Sequence, residues 1–177
     1  MKSYSLLCMI AGILPLSIIL IASASTEFSL FSEYISDIGV GPLSLIFNSS
    51  LVLSAILIIP FVLKARMHYK YSTILFLAAA VSLAAVGIFP LTSEFHSIVA
   101  GTFFVLAFAS VLFAGLGMKG RKKNISIAVA ILCATGLIFF NPFVETLQVF
   151  SVGIWVAAVG FLNRKKTTSP VRKDVPL

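Results

Sequence analysis

Six apolar runs divide this chain, at approximately 5–24, 42–63, 72–90, 96–117, 125–140 and 144–162. Each is close to the roughly 20 residues a helix needs to cross a hydrocarbon layer about 30 Å thick, where the backbone must satisfy its own hydrogen bonds. The fifth is the shortest and is stopped by Asn141-Pro142. Of the 177 residues, 59% are hydrophobic and only 11% charged, against about 25% charged in a soluble domain. That leaves too little polar surface to cover a globule in water. The expected fold is an all-α membrane protein, a six-transmembrane-helix bundle over residues 1–163 followed by a basic tail at 164–177.

The breaks between runs have local causes. Pro42 and Pro142 suit the first turn of a helix, where a missing N–H costs nothing. Pro90 closes the third run, and Thr92 or Ser93 is placed to cap the fourth. Small residues crowd Ala78–Gly87, and Gly101, Ala107, Ser110, Ala114, Gly115 and Gly117 punctuate the fourth run. They let helix backbones approach where lipid supplies no hydrophobic drive. The two halves show no repeat, so a transporter built from inverted repeats gains no support.

Orientation is written in the basic residues. Lys2 precedes the first run; Lys64, Arg66 and Lys70 lie between the second and third. Lys119, Arg121, Lys122 and Lys123 lie between the fourth and fifth, and the other five basic residues follow the sixth. All fall on one side, which the positive-inside rule makes cytoplasmic, with both termini there and the cell membrane as location. The net charge of +7 is thus spread in short clusters and not as a nucleic-acid face. The tail is expected in solvent, near anionic lipid heads. The start of the chain also resembles a secretory signal, with Ala22–Ser25 as cleavage site. The apolar run exceeds the usual core of about 7–15 residues, so it is read as a retained helix. Cys8 and Cys133 both lie in apolar runs, and no disulfide is expected.

The acids run opposite. Glu27, Glu33, Asp37, Glu94 and Glu145 lie on the outer side, and only Asp174 lies inside. Asp37 precedes the Gly39–Pro42 turn, and Asn48 lies about 9 Å deeper along the following helix. An amide there is costly to bury unbonded and is expected to face the bundle interior. Glu94 and His96 open the fourth run; His68 belongs to a basic loop. Glu145 stands about one turn into the sixth, with Gln148 on its face. An ionisable group at that depth is a candidate functional residue. Asp37, His96 and Glu145 are the catalytic candidates, and the binding set adds Ser36, Asn48, Glu94 and Gln148, with Glu33 behind them. The same three could ligate a divalent metal, although zinc sites favour more His or Cys; otherwise no cofactor is expected.

The ordered marks YISDIG before a helix, FN inside it, GIFP followed by His, then Glu and Trp, resemble the prokaryotic domain-of-unknown-function family 998. They are also similar to the eukaryotic Frag/DRAM/Sfk membrane proteins, which share a six-helix plan. The resemblance covers roughly residues 30–160 and falls on Ser36, Asp37, Gly39, Asn48, Pro90, His96, Glu145 and Trp155. Some eukaryotic members are linked to lipid remodelling, which by analogy implies membrane lipid as partner. Three functions follow: binding of a lipid head group or cation at the outer face; a small membrane enzyme acting on an outer-leaflet lipid, hydrolase or transferase, with His96 as general acid–base; or an ion or proton pathway.

Overall fold

The computed structural model describes residues 2–65, 70–139 and 141–166; His68 and most of the basic tail lie outside them. The long helices are α1 (Lys2–Ser25), α2 (Ser44–Ala65), α3 (Lys70–Ile88), α4 (His96–Gly117), α5 (Arg121–Ile138) and α6 (Pro142–Lys166). Each packs on its neighbour in sequence, and α6 closes the ring against α1. Helices joined by short connections run antiparallel. The starts of α2, α4 and α6 therefore gather at one end, called here the mouth.

Helices α1, α2, α3, α4 and α6 are long and apolar enough to cross a membrane. The chain is accordingly a multi-pass helical membrane protein. Helix α5 differs because its 18 residues open with Arg121, Lys122 and Lys123, so its apolar part starts only at Ile125.

The expected boundaries shift where turns intervene. Helix α2 begins at Ser44, not Pro42. Pro42 lies in a turn closed by the Ser44 N–H donating to the Gly41 carbonyl at 3.0 Å. Helix α4 receives no side-chain cap from Thr92 or Ser93, because its capping position is Phe95. Ser93 instead accepts the Phe95 N–H at 3.3 Å. At α6, Pro142 is the first helical residue, and the Asn141 Oδ1 accepts the Val144 N–H at 3.0 Å.

The tightest seam joins α1 to α6. A Cβ on Gly12 would collide with the Gly153 carbonyl, and one on Gly160 would sit 2.8 Å from the Ser5 carbonyl. Gly101, expected to pack, would meet nothing within 4 Å. Cys8 and Cys133 are free and buried. Toward the far end, Phe76 stacks on Trp155, whose Nε1–H donates to Ser126 Oγ at 2.9 Å. Near the mouth a second apolar cluster joins Leu16, Ile19, Phe47 and Leu51 to Ile35 and Ile38. The last two belong to a short 3₁₀ helix, Ile35–Gly39, that the sequence did not announce. With three residues per turn, positions three apart share a face, so both isoleucines point into the bundle.

Candidate functional site

The connection between α1 and α2 folds over the mouth and is tied down by side chains. The Glu33 Oε2 accepts the Ser29 N–H at 2.6 Å, and the Asp37 Oδ2 accepts the Tyr34 N–H at 2.8 Å. These two acids thus shape their own loop. Helix α6 supplies two anchors: Thr146 donates to the Leu30 carbonyl, and the Glu145 Oε2 accepts the Ile35 N–H, both at 2.8 Å. Helix α2 supplies the third, with the Asn48 amide donating to the Gly39 carbonyl at 2.9 Å. A Cβ on Gly39 would stand 2.9 Å from the Asn48 Oδ1, so a glycine is what lets the amide approach. Asp37 is close enough to Glu145 for the two charges to repel.

His96, at the first turn of α4, is 7% exposed. Its Nδ1 lies 2.8 Å from the Phe89 carbonyl. A carbonyl only accepts, so Nδ1 carries the hydrogen, and in the neutral ring Nε2 is left as an acceptor. The Phe89 and Phe95 rings pack edge to face at 5.7 Å beside it.

Inside the ring lies a cavity of about 130 Å³. Ser36, Asn48, His96 and Glu145 line its mouth end. Beyond them the wall is mainly apolar, with Ile58, Phe76, Val111 and Val156. The small side chains of Ala80 and Ala107 leave the space open. No described residue of α5 lines it. An apolar cavity of roughly 150 Å³ holds a benzene-sized guest, so this one accepts a short apolar segment. Ser54 lines it too, and its buried Oγ has no partner. Gly39, Asn48 and Pro90 also face a lateral groove of about 750 Å³ between α2 and α3.

The structure thus brings four of the expected site residues, Ser36, Asn48, His96 and Glu145, to one cavity. Asp37 neighbours Glu145 but does not line it. Glu94 is exposed at the turn before α4. Gln148 is buried on the other side of α6, where its amide donates to the Cys133 carbonyl of α5 against Gly136. Being three residues from Glu145 turned it about 60° away from the cavity, enough to reach the next helix. Among the described residues, no three His, Cys, Asp or Glu are grouped to hold a metal ion. Asp37 is turned to Tyr34 and the His96 Nδ1 to Phe89. Sequence reasoning missed Thr146 and Ser54, since a lone hydroxyl in an apolar helix carries no distinguishing pattern.

A family model described as protein of unknown function (DUF998) matches residues 9–162, a stretch that holds every mouth residue. Neither the curated proteins nor the solved structures give a match.

Proposed function

The chain belongs to the DUF998 family, and we propose from its geometry that it binds a membrane lipid, with the lipid's polar head at the mouth and an apolar portion in the cavity. In this reading all six helices cross the cell membrane, both termini are cytoplasmic and the mouth opens at the outer leaflet. The one-sided placement of the basic residues supports that orientation.

The observation that carries the proposal is a cavity whose polar side chains stand at one end over an apolar remainder, with Asn48 shared with a lateral groove. That is the shape of an amphiphile arriving sideways from the bilayer. A chain already in lipid gains little by entering an apolar cavity, because lipid tails are equally apolar. Selection therefore rests on the head, through hydrogen bonds to Ser36, Asn48, His96 and Glu145. The test is native mass spectrometry with lipid extraction on protein purified in mild detergent. One lipid class is expected to be enriched over the bulk membrane with wild type. It should be lost with Ala107→Phe, which fills the cavity, and weakened with His96→Ala, while circular dichroism stays helical. Retention of the same lipids by both variants refutes the reading.

One observation favours an enzyme as the second reading. With Nδ1–H held by the Phe89 carbonyl, the His96 ring is fixed in the tautomer whose Nε2 can take a proton. A hydrolase or transferase acting on an outer-leaflet lipid would use it as general base, with Glu145 or Asp37 orienting the substrate. Product formation from labelled lipid in nanodiscs, abolished by His96→Asn, separates this from binding alone. An ion or proton pathway draws no support from the apolar far part of the cavity.

A further inference from the structure

We propose that the end of the bundle opposite the mouth carries a second site, which takes the phosphate head and the upper chain of an anionic phospholipid. A groove of about 650 Å³ opens there between α4, α5 and α6. Its rim holds Lys119, Arg121 and Lys122, and its floor holds Phe61, Trp155 and Leu162. None of the described lining residues is acidic.

Two independent features point to a lipid and not to a soluble anion. The first is charge: three cations share one rim, and basic pockets between membrane helices recognise anionic head groups. The second is depth. The α6 wall runs from Trp155 to Asn163, eight residues or about 12 Å along the helix. Its floor belongs to helices that are long and apolar enough to span the bilayer. A phosphate alone would occupy only the rim and leave an apolar trough empty below it. A phospholipid fills both, its head against Lys119, Arg121 and Lys122 and its first methylenes over Trp155. Ser126 is already occupied by the Trp155 Nε1–H, which fixes the indole as floor and leaves head recognition to the three cations.

The site stands apart from the mouth cavity, which shares none of its lining residues. The proposal thus survives if the mouth binds nothing.

The experiment titrates the full chain, in detergent, with phosphatidylglycerol and with phosphatidylcholine of the same chains, followed by native mass spectrometry. Phosphatidylglycerol is expected to bind in preference. The variant Lys119→Gln/Arg121→Gln/Lys122→Gln should weaken it about a hundredfold, at about fivefold per basic residue near the surface. The control Lys64→Gln/Lys123→Gln removes two exposed charges that do not line the groove and should leave binding nearly unchanged. Ala158→Trp, at an exposed lining alanine, fills the trough while keeping all charges and should reduce phospholipid binding. Equal losses in rim and control variants would show a diffuse surface charge and overturn the proposal. So would full binding by the tryptophan variant. Competition by millimolar glycerol phosphate would assign the rim to a soluble anion and overturn it as well.

Discussion

Glu145 holds the Ile35 N–H of a loop that lies over the mouth, so its side chain has a structural duty beside any role toward ligand. Replacing it with Ala leaves that N–H without its acceptor, a loss of about 1–3 kcal/mol where the group is buried. Glu145→Gln keeps an acceptor oxygen of the same reach. Hydrogen exchange should therefore show deprotection of Ile35–Gly39 in the Ala variant and near-native protection in the Gln variant. Equal exchange in both variants and wild type would mean that the carboxylate does not anchor the loop. Gln148 provides the contrast. Its amide is committed to the Cys133 carbonyl, an interhelical bond worth about 0.6–2 kcal/mol. Gln148→Ala is expected to lower the melting temperature modestly while lipid retention at the mouth stays intact.

At the scale of elements, glycines with identical residue type have opposite expected effects. Gly101 faces open space in α4, whereas Gly12 meets the backbone of α6. Gly101→Ala removes backbone freedom from the unfolded chain without a clash, a gain of about 0.4–1 kcal/mol. Gly12→Ala forces the two closest helices of the ring apart and should lower thermal stability in detergent. A melting series on both variants checks the pair, and a stabilised Gly12→Ala protein would discount the seam. The 3₁₀ helix shows the same dependence on neighbours. Its sequence, ISDIG, is too short to be stable alone, and it persists because Ile35 and Ile38 complete the apolar cluster below it. Asp37 adds a local bond to Tyr34, which is why an acid in the opening of that turn reads equally well as site or as scaffold.

For the whole molecule, the orientation of the ring is open to a direct measurement. Single cysteines at Ser32→Cys and Lys123→Cys fall on opposite ends of the bundle, and native Cys8 and Cys133 are buried and give little background. With an impermeant thiol reagent on intact cells, the first should label and the second should not. Labelling at position 123 from outside would reverse the topology and place the mouth in the cytoplasm. A ring closed by α6 on α1 also makes the far and mouth ends independent chemical environments, one basic and one acidic.

Hydrophobic run length and the one-sided placement of Lys and Arg were enough to read a helical membrane bundle, because both follow from the cost of polar groups in hydrocarbon and depend on no contact. Two mouth residues were legible for the same reason: Asn48 and Glu145 are expensive beside lipid, so their presence near helix starts already placed them inward. Which of them share a space was decided only by the tertiary structure. A helix turns about 100° per residue, so three positions separated Glu145, which lines the cavity, from Gln148, which faces α5. Loop closure carried Asp37 beside Glu145 and bound it to Tyr34 instead of to a ligand. The cavity itself had no sequence signature, since it is the space left where side chains of α1, α2, α3, α4 and α6 meet.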